Sequence, residues 1–353
     1  MRSCTLRMSS QVEKKLVDEV SGWLKLFSDG SVERTWTGAD EVKPLITAVP
    51  PSNDTFIDGV ATKHVAVDEE NGVWIRIYLP RTVQNRETHN KLGVAIHFKG
   101  GGFCVSHADW QMYNHIYSRF VTASNVICVS VDYRLAPEHR LPAAIDDCFA
   151  AVAWLGKIAR GEKEESWLTQ HADFDRCVLI GDSAGGNLVH QVAVRAVACE
   201  EELRPLCLRG CVALHPGFVR SERSKSELEV SPDSALLTLE MVDKFLGLGL
   251  PVGSTKDHPI TNPMGAQSQP LDKVKFPPFL VGVAERDLMR DTQMEYCEAM
   301  RSAGHEVEIV VSEKVSHCFY LNQLAVDSDA HVGEETAKLL QVIHRFISRC
   351  FAR

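Results

Sequence analysis

The sequence predicts an α/β fold with a mostly parallel central sheet, helices on both faces and a lid. Three observations carry that prediction. From residue 92 onward, short apolar runs of strand length alternate with amphipathic stretches of helix length. The runs are apolar throughout rather than alternating, as in parallel strands covered on both faces. One segment, 217–270, breaks the rhythm between two late strands, where an insertion makes a natural lid.

Each element follows in order. Val12 to Val20 mixes polar and apolar residues in a helix-like way. Two short runs, Gly22 to Phe27 and Ser31 to Trp36, flank Ser28-Asp29-Gly30, and Asp-Gly between such runs predicts a hairpin. A Pro-containing stretch, 44–58, reads as irregular, and Gly72 to Leu79 as a strand. Buried-type strands are predicted at Leu92–Phe98, Val126–Val131, Cys177–Ile180, Leu208–Leu214, Pro278–Val283 and Val307–Val311. Helices are predicted at Asn114–Ala123, Ala143–Ala159, Gly186–Val197, Thr292–Ala303 and Glu334–Arg349. Within the insertion a charge run, Arg220 to Glu229, precedes a helix-like piece, Leu236–Leu248, and a Pro/Gly loop.

Composition narrows the function. The 353 residues are 44% hydrophobic and 24% charged, an ordinary globular balance. A net charge of −9 repels phosphate backbones and argues against a general nucleic-acid binder. No 18-residue apolar stretch suggests a membrane span. Eleven cysteines include no C-x-x-C pair and no Cys/His cluster at zinc spacing. Many sit in apolar runs as small hydrophobes, which fits a reducing compartment. Met1 to Gln11 has two Arg and three Ser but no apolar region after it, so a cytoplasmic location is expected.

The chemistry concentrates at Gly181-Asp182-Ser183-Ala184-Gly185, placed between a strand and a helix. G-x-S-x-G in that setting lifts a serine hydroxyl above the sheet on a strained turn, so Ser183 is the expected nucleophile. A base and an orienting acid should follow in the order Ser, acid, His, on loops at carboxyl ends of late strands. Asp287 and His317 occupy those places. Asp291 reads instead as a helix N-cap, and Glu285 as a less well placed acid. His97, His107, His190 and His215 read as core or surface residues. After Leu92–Phe98 comes Lys99-Gly100-Gly101-Gly102-Phe103. Amides of Gly100, Gly101 and Gly102, with that of Ala184 after the nucleophile, would form an oxyanion hole.

These motifs, together with Asp132-Tyr133-Arg134-Leu135-Ala136-Pro137-Glu138-His139, resemble the plant carboxylesterase family, the hormone-sensitive-lipase-like branch of α/β-hydrolases. The resemblance runs from about residue 20 to about residue 350. It implies an α/β-hydrolase fold and hydrolysis of a small-molecule carboxylic ester through an acyl-enzyme, without cofactor or metal. It also implies a lid built from an N-terminal segment, 1–55, and the 217–270 insertion, the hydrolase domain spanning 56–353. The Asp132–His139 stretch is read as a buried polar network bracing the oxyanion loop. One position departs: Lys99 stands where the family's motif has His. Either it turns to solvent, or its ammonium modulates the hole or steers an anionic substrate.

The family also includes dehydratases and cyclases on the same fold, which makes a non-hydrolytic lyase the alternative reading. The related gibberellin receptor lacks the catalytic His, and His317 argues against a receptor. Phe103, Trp110, Phe218, Met241, Phe245 and Phe319 are expected near the mouth or lid, where they would line an apolar substrate site. The expected partner is a small-molecule ester or related plant metabolite.

Overall fold

The computed structural model describes residues 14–85, 91–229 and 237–353. Cys4, the Met1–Gln11 segment and Leu236 fall outside them.

The chain opens with a small antiparallel sheet of β1 (Leu16–Val20), β2 (Leu24–Phe27) and β3 (Val32–Glu33). The Ser28–Gly30 turn sits where Asp-Gly predicts it, with Gly30 at φ 81°. The helix-like reading of Val12–Val20 is corrected over its described part. Leu16–Val20 pairs with Leu24–Phe27, and one buried end, Val20, anchors an otherwise exposed strand.

Eight strands then make the main sheet: β4 (Val60–Asp68), β5 (Val73–Pro80), β6 (Leu92–Phe98), β7 (Ile127–Asp132), β8 (Ala172–Asp182), β9 (Leu208–Leu214), β10 (Phe279–Arg286) and β11 (Val307–Ser316). Their order is β11-β10-β9-β8-β6-β7-β5-β4. β5 runs antiparallel to β4 and β7, and every other pairing is parallel. β4 went unread because it follows directly on the irregular stretch and lies at the sheet edge. All seven residues of β6 are buried, which is why that strand reads as an unbroken apolar run.

The helices are α1 (Gln111–Ser124), α2 (Ala143–Ala159), α3 (Ser166–His171), α4 (Ala184–Ala198), α5 (Glu200–Leu203), α6 (Lys225–Glu229), α7 (Leu239–Gly249), α8 (Arg290–Ser302), α9 (Gln323–Ser328) and α10 (Ala330–Phe351). One sheet face packs on α2, α4 and α8 through Ile96, Phe98, Leu188, Val192 and Tyr296. The other packs on α1 and α10 through Ala95, Val178, Phe120, Ile343 and Phe346. A third apolar cluster lies outside the sheet. Val20, Trp23, Leu24 and Trp36 of the N-terminal segment meet Met241, Phe245 and Leu248 of α7 there. Lys244 also pairs with Asp18 at 2.9 Å, tying α7 to β1.

No helix among the described residues is long and apolar enough to cross a membrane. The ten described cysteines are free thiols, and eight of them are buried.

Candidate active site

β8 delivers Ser183 directly into α4, with the serine at φ 56° and ψ −120°. A non-glycine residue holds such a backbone only when its surroundings enforce it. Three backbone bonds do so: Ser183 N–H donates to Leu214 O at 2.9 Å, and Ser183 O accepts from Asn187 N–H at 3.1 Å and Gly217 N–H at 2.8 Å. The flanking glycines are required by crowding. A Cβ on Gly181 would lie 2.3 Å from Gly185 O, and one on Gly185 only 1.9 Å from Phe98 O.

β10 and β11 end beside this turn. His317 Nδ1 donates to Asp287 Oδ2 at 2.7 Å. The same oxygen accepts from Gln293 Nε2 at 2.9 Å, while Oδ1 accepts from Met289 N–H at 2.9 Å. Asp287 is fully buried. Burial alone would raise its carboxyl pKa, but the neighbouring His317, His215 and the Met289 amide hold it below the usual carboxylate value. Burial would likewise lower the imidazole, yet Asp287 and Cys318 hold His317 well above its ordinary value. His317 Nε2 is buried and has no hydrogen-bond partner among the described residues. It shares a cavity of about 80 Å³ with Ser183.

The other acid candidates are engaged elsewhere. Asp291 lies inside the first turn of α8 rather than at its N-cap, and Oδ2 accepts from Ser226 N–H at 2.7 Å. Glu285 accepts from Lys314 N–H at 2.7 Å.

The glycine loop divides its amides. Gly100 N–H donates to Tyr113 Oη at 2.9 Å and is therefore already spent, which corrects its place among the oxyanion donors. Gly101 and Gly102 line the Ser183 cavity, while Ala184 and Gly102 line an adjoining one of about 40 Å³. Tyr133 Oη donates to Lys99 O at 2.9 Å, Ser106 Oγ donates to Gly100 O at 2.8 Å, and Asp132 Oδ1 accepts from Ala108 N–H at 2.8 Å. The Asp132–His139 stretch thus does brace the loop, with Arg34 bonded to Glu138, Ala136 O and Cys104 O.

Lys99 corrects both expectations. It neither turns to solvent nor reaches the cavity: it is 0% exposed, and Nζ lies 3.9 Å from Asp132 Oδ1 and 3.6 Å from the Tyr133 ring centroid. Nζ has no hydrogen-bond partner among the described residues, and burial, only partly offset by Asp132, holds its pKa below the usual lysine value. The unfolded chain then binds more protons at this site than the folded one, so the site destabilises the fold at neutral pH and the cost falls as pH rises toward 10.5. Lys99→Met is therefore expected to raise the urea midpoint, by about 1 kcal/mol in stability, and to leave ester turnover within a few-fold. A lowered midpoint would show that the Asp132 attraction outweighs the desolvation.

Trp110 and Phe245 line the Ser183 cavity, and Phe103 and Phe245 the adjoining one. Phe218, Met241 and Phe319 do not line either. Phe218 is 0% exposed and packs on Tyr296 at 4.4 Å between centroids; Met241 belongs to the N-terminal cluster; Phe319 stacks behind His215 at 5.9 Å. The sequence did not reveal Trp23, Met112, Leu237 and Leu321 in the cavity that holds Ser183. Trp23 stacks on Trp110 at 6.3 Å, and only the placement of the hairpin reveals it.

His215, His317 and Cys318 bring one potential ligand atom each within 4.8 Å of one another. The donor set does not suit a cation. His215 Nδ1 accepts from Cys318 N–H at 2.7 Å, so Nε2 carries the proton, and burial pushes its pKa down to about 3. Burial also raises the Cys318 thiol, away from the thiolate that binds metals.

The profile of the alpha/beta hydrolase fold matches residues 95–321. The chain is 36% identical over 342 residues to probable carboxylesterase 6 of Arabidopsis thaliana, covering 96% of this chain and 94% of that one. It is 34% identical over 318 residues to the chloroplastic tuliposide A-converting enzyme 1 of Tulipa gesneriana, covering 90% and 76%. A thermostable esterase of Pseudomonas putida matches in structure with a TM-score of 0.65 at 24% identity, covering 82% and 83% of the two chains. The protein is thus an α/β-hydrolase with a serine at the elbow. Within that class, the chain belongs to the plant carboxylesterases of the hormone-sensitive-lipase-like group.

Proposed function

We propose that this carboxylic ester hydrolase works through Ser183, His317 and Asp287 on a small-molecule ester. The single observation that supports the assignment is the Asp287–His317 bond at 2.7 Å, which leaves the other imidazole nitrogen unpartnered in the cavity that holds Ser183. His317 takes the Ser183 proton as the oxygen attacks the ester carbonyl, and Asp287 holds the tautomer and stabilises the imidazolium. Amides of Gly101, Gly102 and Ala184 receive the developing oxyanion. His317 returns its proton to the leaving alcohol, then activates water against the acyl-enzyme. The apolar walls from Trp23, Trp110, Leu237 and Phe245 favour a substrate with an apolar part. The N-terminal segment, 1–55, and the 217–270 insertion act as the lid, and their described parts meet in the cluster of Trp23 and Phe245.

Turnover of p-nitrophenyl acetate and butyrate by wild type and Ser183→Ala tests this reading. Hydrolysis by wild type should fall at least about a thousandfold in the variant. Equal turnover by a folded variant would remove Ser183 from the mechanism.

A further inference from the structure

Among the described residues, a second and wider cavity lies apart from the one that holds Ser183. A cleft of about 800 Å³ opens between α1, α10 and the β4–β5 edge, against about 80 Å³ around Ser183. α1 is the shared wall: Met112 and Tyr113 face the catalytic cavity, and Asn114, Ser118 and Arg119 face the cleft.

Two guanidinium groups stand in the cleft wall without a carboxylate at ion-pair distance among the described residues. Arg76 is 0% exposed, and its partners are all neutral: Val49 O at 2.8 Å, His64 Nε2 at 2.7 Å, Thr62 Oγ1 at 3.2 Å and Asn114 Oδ1 at 2.9 Å. Burial, with Arg76 adjacent, depresses His64 to about 4, so it accepts as the neutral ring and brings no compensating charge. Asp109 interacts electrostatically with Arg76 but does not pair with it. Arg119 is half-buried, and its hydrogen-bond partner among the described residues is His115 Nε2, at 3.4 Å. Across the cleft, His344 Nδ1 is buried and unpartnered among the described residues. The acid in the lining is Asp58, exposed on a turn, while Asp327 acts on His115 from α9. A buried cation without a carboxylate at ion-pair distance is costly, and a cleft beside it favours an anion. That this occurs on a chain of net charge −9 makes the local sign the more telling. Val49, Ile57, Val60 and Leu340 add apolar wall, and the volume is that of a small-molecule site.

We propose that this cleft is a second ligand site, distinct from the catalytic cavity, for a small organic molecule with an anionic head, a phosphate monoester or a carboxylate. Arg119 contacts the head, Arg76 supplies a fixed positive field behind it, and the apolar wall takes the body. The site goes beyond ester hydrolysis and does not depend on it.

Calorimetric titration of the full chain with phenyl phosphate, benzoate and phenol tests the proposal. One or both anions should bind with a stoichiometry of one, and phenol at least about tenfold more weakly, the phosphate and benzoate arms separating the two head groups. Arg119→Gln and Gln341→Glu, on two different helices, should each weaken anion binding about tenfold, while Ser183→Ala binds as wild type. Thermal melting establishes that the variants are folded. Absence of binding by either anion at millimolar concentration, phenol binding equally tightly, indifference to both cleft substitutions, or loss in Ser183→Ala would each overturn the proposal. Because the readout is binding, a chain that fails to hydrolyse esters would leave this result standing, and a chain that binds no anion would leave the esterase reading standing.

Discussion

Asp287→Asn should lower kcat for p-nitrophenyl acetate by roughly a thousandfold to ten-thousandfold while the protein stays folded. The reason lies in the donors around the carboxylate. Oδ2 accepts from both His317 Nδ1 and Gln293 Nε2, and Oδ1 accepts from Met289 N–H. An amide nitrogen in the Oδ2 place would face the Gln293 amide and force His317 to accept at Nδ1, which puts the proton on Nε2 and removes the base. Turned over, the same nitrogen would oppose Met289 N–H. Both arrangements leave two donors facing each other in a buried site. The pH profile gives a second readout. His317 must be neutral to act, so kcat/KM rises with pH through its pKa, and Asp287 and Cys318 place that limb above the ordinary imidazole range of about 6.5. Loss of the Asp287 charge should move the limb to lower pH while the plateau falls. A limb that stays in place would show that Asp287 does not set the charge of His317.

Gly185→Ala should be the most damaging single methyl in the molecule. The added Cβ would sit 1.9 Å from Phe98 O, 2.7 Å from Phe98 C and 2.8 Å from Lys99 O, all backbone atoms at the end of β6. No side-chain rotation relieves such a contact, so β6 and α4 must part where the elbow meets the glycine loop. Destabilisation of roughly 3–5 kcal/mol is expected, with activity lost as the loop moves relative to Ser183. Urea denaturation of the variant checks it, and a midpoint within error of wild type would show that the junction yields. Gly247, by contrast, has open space around its Cβ position, so Gly247→Ala serves as the control.

The fold was legible where local pattern and burial coincide. β6, β9 and α2 have the bounds that their sequence patterns predict, because β6 and most of β9 are buried and α2 buries one face. Leu16–Val20 was misread because one buried residue in five leaves no clear period of two. In the site, the order Ser183, Asp287, His317 follows from strand-end positions, and the structure brings Asp287 and His317 into contact and His317 into the cavity of Ser183. What a side chain does after it leaves the backbone was not legible. Lys99 turns inward because Tyr133 and Asp132 present a ring face and a carboxylate beneath the loop, and Gly100 surrenders its amide to Tyr113, thirteen residues on in α1. Phe218 and Phe319 are aromatic and near the mouth in sequence, yet the Tyr296 ring takes one and His215 the other.

Among the described residues the N-terminal hairpin shares no strand pairing with the eight-stranded sheet, yet Trp23 forms part of the wall of the cavity that holds Ser183. Ser183, Asp287 and His317 stand at ends of strands of the large sheet, while part of their cavity wall comes from the turn between β1 and β2. Sequence drift in the first forty or so residues can reshape what enters the pocket while the sheet keeps Ser183, Asp287 and His317 in place.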